Sequence, residues 1–137
     1  MKVQSVLETA IYADDLEKAE KFYTDVLGLE LFDRQAGRHV FFRCRESMFL
    51  VFKAEATLAL DAIFPPHGAH GPGHVAFAVS MSSLPAWKER LERNGVRIEK
   101  DFKWPNGGRS LYFRDPAGNS VELASPLIWN IAESRQQ

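Results

Sequence analysis

The chain has a single cysteine, Cys44, among its 137 residues. That count excludes an intramolecular disulfide, a paired-cysteine redox centre and a cysteine-rich zinc site. The pattern sets no base beside Cys44, so it reads as a small, poorly reactive side chain at a strand end. No apolar run reaches the roughly 18 residues of a membrane span. The first residues lack the basic-then-apolar order of a secretory leader. Neither sign of charge dominates, with 17 Lys and Arg against 18 Asp and Glu. The basic residues are scattered singly, which leaves no footprint for nucleic acid or an anionic membrane. These absences predict a cytoplasmic protein. What the chain does have is apolar: 45% of it is hydrophobic, with 10 Phe. That is enough to bury a core and to exclude disorder as the main state.

The chain also repeats itself. Gly37-Arg-His-Val-Phe-Phe-Arg43 matches Gly108-Arg-Ser-Leu-Tyr-Phe-Arg114, at numbers that differ by 71. Ahead of each copy lies an alternating segment, Glu8 to Ala13 and His74 to Val79, and then an amphipathic helix. The first helix has Asp14 with Glu17 three residues on, a capping-box pattern. Its apolar stripe is Leu16, Ala19, Phe22, Tyr23, Val26 and Leu27, and Gly28 is its C-cap. The second starts near Ser82 or Ser83, has Pro85 in its first turn, buries Leu84, Trp87 and Leu91, and ends at Gly95. One more short strand follows each copy, near Met48 to Phe52 and Asn119 to Ala124. We read each half as β-α-β-β-β, and the class as α+β. We expect one domain over 1–137: module one at 5–55, a turn-rich linker at 56–71, module two at 72–126 and a tail at 127–137. One sheet with one helix leaves a sheet face bare, so the modules are expected to work as a pair.

Strand parity sorts the side chains onto two faces. Val75, Phe77 and Val79 form a core face, and so do Val121 and Leu123, and Leu111 and Phe113. The opposite face carries His74, Ala76 and Ala78, then Ser120, Glu122 and Ala124, then Ser110, Tyr112 and Arg114. In the first half, the matching face carries Glu8, Ala10 and Tyr12, together with His39, Phe41 and Arg43. Leu50 falls opposite Glu122 in the repeat. Small neighbours beside each polar residue leave volume, as a ligand cleft does. Glu8, His74 and Glu122 then form a candidate metal set. Two carboxylates and one imidazole neutralise a divalent ion and suit Fe, Mn, Ni, Co or Zn. Three protein ligands also leave positions open for substrate.

Each of these residues has a plainer reading. A lone strand Glu is ordinarily solvated, and a lone His is ordinarily a hydrogen-bonded structural residue. The equivalence of Glu8 and His74 in the repeat favours the metal. His67, His70 and His74 form a looser alternative, set in a Gly- and Pro-rich linker. Arg38 and Arg109 read either as solvated strand starts or as clamps for an acidic substrate.

The stretch Leu16 to Leu29, the run Gly73-His74-Val-Ala-Phe77, and Tyr112-Phe-Arg-Asp115-Pro116-Ala-Gly118-Asn119-Ser-Val-Glu122 together resemble the vicinal oxygen chelate superfamily. It includes glyoxalase I, extradiol dioxygenases, fosfomycin-resistance transferases and bleomycin-binding proteins. The resemblance implies two tandem βαβββ modules forming a cupped mixed sheet. It also implies one divalent metal per site that chelates neighbouring oxygens of a substrate, and a homodimer. His74 and Glu122 fall on usual ligand positions, and Glu8 falls where members commonly have His. Leu50 falls where glyoxalases place a carboxylate ligand, which disfavours glyoxalase I chemistry. Tyr112 to Glu122 fits half of the extradiol-dioxygenase signature. The His expected six to eight residues before Tyr112 is replaced by Trp104, Pro105 and Asn106.

The expectation is a metal-dependent lyase, isomerase or dioxygenase for a small vicinally oxygenated substrate. Glu8, His74 and Glu122 are the metal ligands, and Tyr112 and His39 move protons. Phe41, Arg43, Met48, Leu50, Phe52, Arg109 and Arg114 contact the substrate. The alternative is a metal-free, drug-sequestering module in which Glu8 and Glu122 face a cationic ligand and aromatic rings stack on it.

Overall fold

The computed structural model describes residues 1–60 and 63–134. The chain divides into two compact units, Met1–Gly73 and His74–Gln137. The first contains β1 (Glu8–Tyr12), α1 (Leu16–Lys21) with a following π-helical turn (Phe22–Val26), β2 (Glu30–Gln35), β3 (His39–Cys44), β4 (Ser47–Phe52) and α2 (Ala54–Thr57). The second contains β5 (His74–Ala78), a 3-10 turn (Met81–Ser83), α3 (Leu84–Arg93), β6 (Lys100–Lys103), β7 (Arg109–Arg114), β8 (Ser120–Ala124) and a 3-10 turn (Pro126–Trp129). Each unit has one mixed four-stranded sheet, in the orders β1-β4-β3-β2 and β5-β8-β7-β6. The parallel pairs are β1 with β4 and β5 with β8.

The repeat is reproduced in the pairing register. Glu8 pairs with Met48 and Ala10 with Leu50. At the matching positions His74 pairs with Ser120 and Ala76 with Glu122. Phe41 lies beside Leu50 as Tyr112 lies beside Glu122. In the first unit the core face holds Ile11, Val40, Phe42, Phe49 and Val51, all buried. Tyr23, fully buried, packs its ring 4.8 Å from Phe49 and 5.6 Å from Phe42. In the second unit, Val75, Leu111, Phe113, Val121 and Leu123 form the core with Leu84 and Leu91 of α3.

The N-cap of α1 is Asp15, not the expected Asp14. Asp15 is extended at φ −101° and ψ 95°, and its carboxylate accepts from the Lys18 amide at 3.0 Å. A cap side chain reaches the third helical residue, which is Lys18, so Glu17 cannot close a capping box. Trp87 is half-buried on the rim of α3, with the Arg90 guanidinium 5.3 Å from its ring.

The two Gly-Arg echoes are glycine for different reasons. Gly37 has a positive φ of 76° and open space around it. At Gly108, a Cβ would sit 2.8 Å from the Ile128 backbone nitrogen, so the tail is what excludes a side chain. α2 straddles the expected boundary between module one and the linker, the linker's residues 61 and 62 lie outside the described ones, and so do 135–137 of the expected tail.

Candidate functional site

The second unit gathers the chemistry onto the face opposite α3. His74 starts the edge strand β5, with its ring beside Glu122 of the neighbouring β8. His74 Nδ1 lies 3.0 Å from the Ser120 carbonyl oxygen. A carbonyl can only accept, so Nδ1 carries the proton and donates. Nε2, the other ring nitrogen, lies 3.4 Å from Glu122 Oε1, where a proton or a cation can bridge the two groups.

Glu122 is buried at 5% exposure, while the His74 side chain is 51% exposed. The other carboxylate oxygen, Oε2, accepts from the Ser110 hydroxyl at 2.6 Å. Ser110, fully buried, accepts in turn from the Trp104 indole N–H at 2.9 Å. Tyr112 is half-buried beside Glu122. Burial first, and then the Glu122 charge, push its phenol above the ordinary value, so it holds its proton at neutral pH.

The first unit presents a different surface at the matching positions. Leu50 and Phe52 are buried, Met48 and Phe41 are half-buried, and all four lie on the same face of the sheet. The expected proton carrier His39 is fully engaged. Its Nδ1 is 2.6 Å from the Arg38 guanidinium, which only donates, so that nitrogen accepts. Its Nε2 donates to Asp33 at 2.9 Å, and its ring stacks on Phe41 at 3.8 Å. With both nitrogens bound, His39 has no free lone pair and reads as structural, which corrects its expected catalytic role.

Arg109 also needs correction. It lies with Leu111 and Phe113 on the core side of β7, not with Ser110 and Tyr112. There it binds Asp101 through two hydrogen bonds of 2.8 and 2.7 Å, and Lys88 of α3 joins them at 3.4 Å. Arg38 is likewise committed, to His39 and the Phe52 ring. Arg114 keeps the predicted face but bonds Glu99 and the Gly118 carbonyl. Arg43 is exposed, with its guanidinium 4.9 Å from the Phe32 ring centre.

Glu8 is exposed at the start of β1, in the other unit from His74 and Glu122. Among the described residues, no group of three His, Cys, Asp or Glu side chains is assembled to hold a metal ion. The looser His67, His70 and His74 trio is not assembled either, since His67 bonds the Tyr12 hydroxyl at 2.7 Å. Burial raises the Cys44 thiol, in keeping with an inert side chain. An open groove of about 940 Å³ in the first unit lies beside the start of α1, and His39 is the one expected site residue on its wall. Sequence reasoning missed the Trp104–Ser110 bond and the Asp33–His39 pair. Parity already put Ser110 on the Glu122 face, but nothing in the pattern aimed the indole at it.

Residues 5–123 match the family model described as the Glyoxalase/Bleomycin resistance protein/Dioxygenase superfamily. The chain belongs to this superfamily. Glutathione transferase FosA of Serratia marcescens is 31% identical over 136 residues, which is 98% of this chain and 91% of that protein. Metallothiol transferase FosB of Bacillus licheniformis is 41% identical over 58 residues, 42% of this chain and 38% of that one. The chain thus spans about two-fifths of the FosB relative, and 39% of another superfamily relative. A crystal structure of lactoylglutathione lyase from Agrobacterium tumefaciens is 42% identical, with a TM-score of 0.92 over 96% of this chain and 100% of that one. Superfamily membership agrees with the tandem βαβββ reading and with the α+β class. No helix among the described residues is long and apolar enough to cross a membrane.

Proposed function

We propose that the chain is a divalent-metal-dependent enzyme acting on a small substrate with neighbouring oxygens. One observation carries this reading: His74 Nε2 and Glu122 Oε1 lie 3.4 Å apart on one sheet face, with Nδ1 committed to the Ser120 carbonyl. A carbonyl on the far nitrogen is the support that metal-bound imidazoles ordinarily have. Imidazole plus carboxylate is also a donor set that suits borderline divalent ions. The metallothiol transferase relative has a metal in its printed name, which supports a metal in this superfamily.

His74 and Glu122 are the proposed ligands, and Glu8 holds the register position of the first unit that matches His74. A bound divalent ion supplies Lewis acidity to the substrate oxygens. Tyr112 keeps its proton at neutral pH and donates a hydrogen bond from the rim, rather than acting as a base. Phe41, Met48, Leu50 and Phe52 are proposed as an apolar wall, and Arg43 and Arg114 as contacts for acidic parts of a substrate. We also propose a homodimer in the cytoplasm. Val3, Val6, Leu7, Trp129 and Ile131 are exposed at 61% or more, and large apolar side chains in such number call for cover.

The test is elemental analysis of anaerobically purified protein reconstituted with Mn, Fe, Co, Ni or Zn. About one ion per chain supports the enzyme reading. Absence of bound metal would replace it with the metal-free binding module.

A further inference from the structure

Glu122 has His74 beside one carboxylate oxygen and Ser110 on the other, and the Tyr112 phenol bonds both Ser110 and Glu122. Glu122 Oε2 takes a 2.6 Å hydrogen bond from Ser110, short enough to mark a charge-assisted donor. A serine hydroxyl has one proton and two lone pairs. The Trp104 indole can only donate, and it reaches the Ser110 oxygen at 2.9 Å. The indole therefore takes a lone pair of Ser110 and leaves the hydroxyl proton for the carboxylate. The direction of the chain is fixed: indole to hydroxyl to carboxylate. Each donor polarises the next, which strengthens the last bond.

The indole is placed by the β6–β7 hairpin. The Trp104 amide donates to the Gly108 carbonyl at 2.7 Å, and the Gly107 amide donates back to Trp104 at 2.9 Å. The ring is braced edge-to-face against Phe102, 4.8 Å away, and Phe102 is the cross-strand partner of Ser110. This loop is also where the dioxygenase signature would have its missing histidine.

We propose that Trp104 is a positioning residue for the metal centre, acting through Ser110 to fix Glu122 with Oε1 turned toward His74. The inference rests on the proposed metal-dependent function. Ser110 is the direct brace on a ligand and Trp104 the brace on Ser110, so the effects rank in that order. Partners of metal ligands are worth about 10- to 100-fold in affinity.

The experiment is calorimetric titration of the full chain with Zn²⁺, with the indole region of the ¹H–¹⁵N spectrum followed in parallel. Ser110→Ala is expected to weaken Zn²⁺ binding by about 10-fold or more. Trp104→Phe keeps an aromatic ring and removes the donor, and is expected to weaken it by about 3- to 10-fold. In the Ser110→Ala background, Trp104→Phe adds nothing further, because the link is already cut. In the wild type, Zn²⁺ shifts the Trp104 indole resonance and leaves those of Trp87 and Trp129 in place. That spectral readout holds even where Ser110→Ala does not fold. Wild-type affinity in Trp104→Phe, with an unmoved Trp104 resonance, overturns the inference alone. A wild type that binds no Zn²⁺, Mn²⁺ or Fe²⁺ overturns the metal reading and the inference with it.

Discussion

Leu50 and Glu122 hold the same register position in their two sheets, and the difference between them shapes the chemistry. Glu122 carries charge into a buried place, where His74 and Ser110 both face it. Leu50 is buried at 7% exposure and can neither bind an ion nor carry a proton. Glyoxalase I chemistry moves a proton between adjacent carbons and needs a base within about 3 Å of it. The expected outcome is little or no turnover of the methylglyoxal–glutathione adduct, whichever divalent metal is supplied. The Agrobacterium relative bears the name of that reaction, which makes the assay informative. Turnover on the order of 10 per second or more would show that another residue replaces the missing carboxylate. At this scale parity was a good guide: it put His74, Glu122, Ser110 and Tyr112 on one face. The same parity sets Arg109 with Leu111 and Phe113, where its ion pair with Asp101 forms. His39 was misread because its partners, Asp33 and Arg38, are ordinary surface residues in the sequence.

Among the elements, α1 shows how local sequence sets a boundary that pattern alone leaves open. Two adjacent aspartates compete for the cap, and Asp15 takes it because its carboxylate reaches the Lys18 amide. Asp15→Ala is expected to cost about 1 kcal/mol of stability, and Asp14→Ala close to nothing. Urea denaturation of the two variants separates them. The hairpin β6–β7 offers a pH-dependent case. Hydrogen bonds from Arg109 hold Asp101 below its ordinary value, against the opposing effect of its burial, and Lys88 adds to the lowering. A depressed carboxylate contributes stability above its unfolded value, about 3.9, and loses that contribution as pH falls through the lower folded value. Asp101→Asn should lower the melting temperature by roughly 1–3 °C at pH 7. The gap should shrink as the pH is taken below 4. A gap that is constant over that range would mean the ion triad is not what Asp101 contributes. Periodicity located α1, α3 and most of the strands, and the single turn of α2 is too short to show a period. The five-residue π turn in α1 was not legible, because its wide turn keeps the same apolar stripe facing the sheet.

For the whole molecule, the internal repeat was the decisive signal. Two copies of one unit read from Gly37 and Gly108 became two sheets with matching strand order and register. The exposed apolar ends predict association. Light scattering at micromolar concentration should give the mass of a dimer, and a monomer mass would contradict the proposed assembly. What the repeat could not convey is the relay from Trp104, since the first unit has His39 where the second has Ser110 and builds a different network around it.

Whether His74 and Glu122 hold a divalent ion is read by anomalous diffraction from crystals of the reconstituted protein, collected at the absorption edge of the added metal. One peak per chain is expected, within about 2.0–2.3 Å of both His74 Nε2 and a Glu122 carboxylate oxygen, with no peak in His74→Ala. A peak at His39 or at His67 and His70, or a peak that survives His74→Ala, would contradict it.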